Sequence, residues 1–185
     1  MENGHARPRF LVNLTLTTLI LFATVTTIAS AGTRGPLAPG FSWDHVIGIK
    51  NTQSIRVVYG IKNDVWEAGV GKPLFYARGL YESYAAMGID SKNVDMHLVL
   101  HGAAGYWLLN DAAYSKYKDT LLGNPNKHVI KGLLEKGAHI EACYETLKGH
   151  GWKPEDLLPG VTVVHDAYSR IIDLQLRGYA YIPFF

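Results

Sequence analysis

Val94, Met96, Leu98 and Leu100 alternate with Asp95, His97 and Val99, the period of two that a strand imposes on its side chains. Ile-Arg-Val-Val-Tyr-Gly-Ile at 55–61 is β-branched and aromatic and predicts a second strand. Between the two, Leu74, Ala77, Leu80, Tyr84 and Met87 recur at helical spacing, with Pro73 at the start and Gly88 at the end. Asn124-Pro125-Asn126 opens another helix, which carries Val129, Ile130, Leu133 and Leu134 on one face and meets Gly137 where a helix C-terminus favours positive φ. A short strand follows from Ala138 to Cys143. Pro154-Glu155-Asp156 has the composition of a brief helical first turn, which Pro159-Gly160 ends. Val161 to Val164 is the next strand, Ala167, Ile171 and Leu174 form one more helical stripe, and Gly178 to Ile182 is the closing strand. Strands alternating with helices place the chain in the α/β class. The expected architecture is a single doubly wound, mostly parallel sheet of about five strands with helices on both faces.

The first residues read differently. Arg7 and Arg9 form a short positive region, no charge occurs from Phe10 to Ile28, and Ala29-Ser30-Ala31 supplies small residues for a signal peptidase. Residues 1–31 are therefore expected to be a signal peptide, and the mature chain periplasmic or secreted. The apolar run is nearly long enough to span a bilayer, so an uncleaved anchor is the alternative, and only that alternative brings in a membrane. Residues 32–53, with Gly, Pro and Ser concentrated from Thr33 to Asp44, are expected to be a flexible lead-in to a domain over 54–185.

Apolar residues make up 48% of the 185, enough for one domain with a substantial core. Loss of Glu2, Arg7 and Arg9 would leave sixteen basic and fifteen acidic residues with no basic run, so a nucleic-acid partner is not expected. Cys143 is the one cysteine. An exported protein usually staples itself with cysteine pairs, and here no internal disulfide is possible. A lone thiol in an oxidising compartment is a small buried hydrophobe, an interchain link or a reactive group.

Ligands of open α/β sheets bind beyond the carboxyl ends of the strands. The second, third and fourth predicted strands end at His101-Gly102, Cys143 and His165-Asp166, so a thiol and two imidazoles reach one edge of the sheet if those strands are neighbours. Tyr144 to Leu147 can start a helical turn, and a helix N-terminus with a nearby imidazolium favours a thiolate. Cys143 is thus the candidate catalytic residue, with His101, Gly102 and His165 as candidate substrate-binding residues. The turn Gly102-Ala-Ala-Gly105 lets backbone N–H groups approach an anion, or simply enters the next helical segment. It lacks the spacing of a dinucleotide fingerprint, and no cofactor is expected. No His or Cys spacing marks a metal site, so none is expected; one would require His101, His165 and His150 to converge. His97 and His139, inside strands, are expected in packing or at an interface.

The run His139-Ile-Glu-Ala-Cys143, with Thr146-Leu-Lys-Gly-His-Gly151 and Lys153-Pro-Glu-Asp-Leu-Leu-Pro-Gly160 after it, resembles the exported branch of the DsrE/DsrF-like family. Val99-Leu-His-Gly102, the Asn124-Pro-Asn126 helix start, Val163-Val164, Arg170 to Gln175 and Gly178 to Ile182 are similar to it as well, so the resemblance spans roughly residues 54 to 183. It implies a compact α/β sandwich forming homo-oligomers, trimers or hexamers. It also implies that Cys143, matching a cysteine that carries sulfane sulfur as a persulfide in relatives, takes sulfur from a small donor and passes it to an acceptor thiol. Such a carrier is a sulfurtransferase-like protein. The relatives work in the cytoplasm with partner proteins, whereas this chain is expected to be exported. The alternative function is a non-enzymatic homo-oligomeric binding module for a small anion or metal, with Cys143 structural.

Overall fold

The computed structural model describes Met1 and residues 34–184. The expected signal peptide and the first residues of the lead-in lie outside that range. Among the described residues no helix is long and apolar enough to cross a membrane.

The chain enters the sheet at β1 (Ile55–Ile61) and makes a small antiparallel hairpin, β2 (Trp66–Glu67) and β3 (Val70–Gly71). Helix α1 (Lys72–Ala86) leads to β4 (Val94–Leu100), then a 3-10 segment at Gly102–Leu108, α2 (Asp111–Lys118) and α3 (Lys127–Glu135). Next come β5 (His139–Cys143), α4 (Tyr144–His150), β6 (Thr162–Val164), α5 (Ala167–Leu176) and β7 (Ala180–Phe184). Five of the strands form one parallel sheet in the order β6-β5-β4-β1-β7. The α/β class, the parallel sheet and the flanking helices agree with the sequence. The hairpin and α2 were not anticipated: two-residue strands are too short to show a period, and α2 buries only Tyr114.

The alternation in β4 divides its residues between two unlike faces. Val94, Met96, Leu98 and Leu100 enter a large core with Val57, Tyr59 and Ile61 of β1, Ile140 of β5, and Leu74, Ile130, Leu133 and Leu147 from α1, α3 and α4. Val99 instead joins Val58, Cys143, Ala167, Ile171, Leu174 and Tyr179 in a small second cluster. Helix α5 packs on that face over β1, β4 and β7. Gly60 shows how closely: a Cβ there would lie 2.8 Å from the Tyr181 ring and 3.1 Å from Ile171 Cδ1.

Asn124 and Asn126 do not cap α3 as their position suggests. Both are buried. Asn124 Nδ2 donates to the carbonyls of Trp107 (2.6 Å) and Leu109 (2.7 Å), and Asn126 Oδ1 accepts the Gly71 N–H (2.7 Å). These side chains satisfy loop backbone that the core has cut off from water.

Candidate functional site

Because β6, β5 and β4 are consecutive neighbours, the three strand ends that carry the candidate residues are adjacent. Cys143 closes β5 and pairs with Val164, while Leu100 pairs with Ala142. One further step along that register sets His101 beside Cys143, and parallel strands direct paired residues to the same face. The thiol is 4% exposed, among Val58, Val99, Ala167 and Ile171.

His101 is buried, with the Tyr168 ring edge-on at 5.1 Å. Burial pushes its imidazole below the ordinary value, Lys62 pushes the same way, and Asp166 opposes both. A neutral imidazole suits a proton acceptor rather than the imidazolium partner first envisaged for a thiolate. Asp166 is occupied with capping α5, accepting the Ser169 N–H at 2.8 Å. His165 follows β6, is exposed, and lies against the Tyr144 ring at 6.0 Å.

The glycine turn is spoken for by packing. Gly102 has φ of +54° and donates its N–H to Thr146 Oγ1 at 3.0 Å; the Ala104 N–H goes to the Lys62 carbonyl at 3.0 Å. A Cβ on Gly105 would meet Thr146 Cγ2 at 2.8 Å. Small residues here let the turn close on α4. His150 stacks on Trp152 at 4.3 Å in a concavity of about 340 Å³, and a second of about 470 Å³ opens beside Asp64, Trp66 and Tyr106. Neither is lined by Cys143, His101 or His165.

A polar cluster that the sequence did not reveal lies nearer the start of the same strands, on the α5 face. Glu141, buried, accepts from Arg170 twice, Nε to Oε2 at 3.0 Å and Nη2 to Oε1 at 2.8 Å, and its Oε1 is 2.8 Å from His97 Nδ1. Burial alone would raise its pKa; the bonds from His97 and Arg170 outweigh that and hold it at about 2. The His97 and His139 rings stack at 4.3 Å, and Asp95 Oδ1 lies 3.3 Å from His97 Nε2 and 3.5 Å from His139 Nε2. Among the described residues these three side chains, and not His101, His165 and His150, bring metal-ligating atoms within 4.8 Å of one another. The signal available in the sequence was same-face spacing, Asp95 with His97 and His139 with Glu141, but the register that joins them is set by the fold.

The sequence profile of the DsrE/DsrF-like family matches residues 72–184. No curated protein matches. Among solved structures, MTH1491 from Methanobacterium thermoautotrophicum, described as a protein of unknown function, is similar at 25% identity with a TM-score of 0.53, over 70% of this chain and 99% of that one. The ychN protein from E. coli is similar at 17% identity with a TM-score of 0.52, over the same shares of the two chains.

Proposed function

The chain belongs to the DsrE/DsrF-like family, and on that footing we propose that it is a sulfurtransferase-like carrier of sulfane sulfur, with Cys143 as the acceptor. The observation that carries this is the position of the chain's one cysteine, at the carboxyl end of β5 with His101 beside it in register. In the proposed step neutral His101 takes the thiol proton, and the Cys143 thiolate attacks the outer sulfur of a small persulfide or polysulfide donor. The donor S–S bond breaks, a Cys143 S–S bond forms, and the donor leaves as a thiolate. An acceptor thiolate reverses the exchange and regenerates Cys143. The thiol is 4% exposed among Val58, Val99, Ala167 and Ile171, so a donor reaches it only when that packing opens.

Self-association is part of the proposal, in a trimer or hexamer after export. Tyr168, Ile172 and Leu176 recur along the outer side of α5 and are 56%, 56% and 84% exposed, an apolar stripe that a second copy would cover.

The test is mass spectrometry of the native protein after exposure to polysulfide. An adduct of about 32 Da, one sulfur atom, mapped to Cys143 is the expected result. If no adduct forms, and iodoacetamide labels Cys143 only after unfolding, the carrier is refuted. The binding module for a small anion or metal would then stand, favoured by the apolar packing around the sulfur.

A further inference from the structure

We propose that Asp95, His97 and His139 form a binding site for a divalent transition-metal ion of the zinc class, in which Glu141 orients His97 for ligation. The site is separate from the sulfur chemistry. His139 and Cys143 are four residues apart on β5, about 13 Å at the rise of a strand, so the thiol is out of reach of the ion.

The hydrogen bonding of His97 is the first argument. Its Nδ1 lies 2.8 Å from Oε1 of Glu141, a carboxylate that also accepts two hydrogen bonds from Arg170, so Nδ1 carries the proton and donates it. The lone pair is left on Nε2, the arrangement in which a carboxylate orients and strengthens a metal-binding imidazole. That Nε2 faces Asp95 Oδ1 at 3.3 Å. Two lone pairs that close repel unless a cation lies between them, either a second proton on His97 or a metal ion.

Asp95 is the second argument. Its Oδ2 accepts from the Tyr179 hydroxyl, which fixes the carboxylate. Its Oδ1 is buried yet makes no hydrogen bond, although both His97 Nε2 and His139 Nε2 lie near it. A buried acceptor without a donor is destabilising, and an ion shared with the two imidazoles removes that penalty.

Distances and donor types name the class of ion. With bonds of about 2.0–2.1 Å, adjacent ligand atoms of a tetrahedral site are about 3.3 Å apart; the two Asp95 to histidine distances are 3.3 and 3.5 Å. Two nitrogens and one oxygen suit zinc, cobalt or iron, whereas calcium and magnesium need shells of oxygen. The histidine rings lie within 14° of parallel, so their in-plane lone pairs do not yet converge. His139, its side chain 56% exposed at the first position of β5, has room to turn its ring onto the ion. Three protein ligands then leave a fourth position open to water.

The experiment is calorimetric titration of the full chain, untagged and treated with EDTA, with zinc chloride, and a parallel titration with cobalt chloride followed by its d–d absorption. One ion per chain is expected. His139→Ala and Asp95→Asn, neither at a fully buried residue, should weaken binding tenfold or more, about the lower bound seen when a ligand's support is removed. His128→Ala, on the exposed side of α3, should leave it unchanged. In the unmutated protein, zinc should shift the ring resonances of His97 and His139, a readout that does not depend on any variant folding. Absence of zinc binding, full binding by both site variants, or unmoved His97 and His139 resonances would each overturn the proposal.

Discussion

Arg170→Met tests whether the buried polar cluster is held together by charge. Glu141 is 4% exposed and Arg170 25% exposed at the side chain, and two guanidinium hydrogen bonds join them. Hydrogen bonds to charged groups are worth about 1.5–3 kcal/mol each, and stripping a partner from a buried pair costs about 3–5 kcal/mol because a charge is left uncompensated. His97 still reaches Glu141, and Arg170 keeps some contact with water, so the lower part of the range applies: about 2–4 kcal/mol. For a domain of this size that lowers Tm by roughly 5–15 °C. Methionine preserves most of the packing of the arginine stem, so the loss is electrostatic rather than a cavity. The assay is thermal and urea unfolding at pH 7 with EDTA present. Glu141→Gln combined with Arg170→Met removes the stranded charge, and it should recover part of the loss. A single variant within about 0.5 kcal/mol of the parent, or a double variant no better than the single, would refute the reasoning.

Gly102→Val should destabilise by about 1–3 kcal/mol in urea unfolding, because φ is +54° there and a Cβ would press on Lys62 at 3.3 Å; an unchanged midpoint would show that the turn relaxes freely. His101 holds its proton less well folded than unfolded, so its contribution is complete above the unfolded value of 6.5 and is lost as pH falls below it towards the lowered folded value. His101→Gln should therefore flatten the pH dependence of stability between pH 7 and pH 5, and an unchanged slope would refute the assignment. Ile172→Asp, at a position 56% exposed on α5, should leave the fold intact and reduce the mass seen by light scattering; a parent protein that is monomeric at every concentration would remove the assembly proposal.

What the sequence disclosed was governed by which interactions are local. The strands at Ile55–Ile61 and Val94–Leu100 carry their period in their own residues and agree with the structure to the residue. The later strands are shifted by a residue or two: Thr162–Val164 and Ala180–Phe184 lie at the sheet edges, where fewer neighbours fix the ends. The adjacency of His101 and Cys143 required the order β5-β4, which turns on crossovers rather than on pattern. The partner of the Gly102 N–H was hidden for a related reason, since Thr146 is 44 residues further on. Asp95, His97, His139 and Glu141 were visible as polar residues inside strands, and packing was the natural assignment for the histidines. Their convergence depends on the register His97↔His139 and on Arg170 arriving from α5.

The contrast between the two faces explains why polar side chains gather on one of them. Four parallel pairings place five strands side by side, about 19 Å from first to last at the usual strand spacing. On the large-core face α1 and α3 pack beside one another over that width, with Leu147 of α4 joining them, and every inward position of β4 is apolar. On the other face α5, ten residues long, spans about 15 Å and is about 10 Å across, so it cannot cover all five strands. It packs against β1, β4 and β7, leaving His139 of β5 and Thr162 of β6 exposed. Where α5 lies over the sheet, Arg170 supplies the charge that makes a buried Glu141 tolerable. Beyond its edge His139 stays open to solvent. Cys143 lies on that same face, at the far end of β5 and under the first turn of α5. Its exposure therefore depends on how firmly Ala167 and Ile171 seat against Val58 of β1 and Val99 of β4, which share its cluster. In the proposed assembly a second copy would press on the apolar stripe along the outer side of α5, which would couple self-association to access to the thiol through one short element.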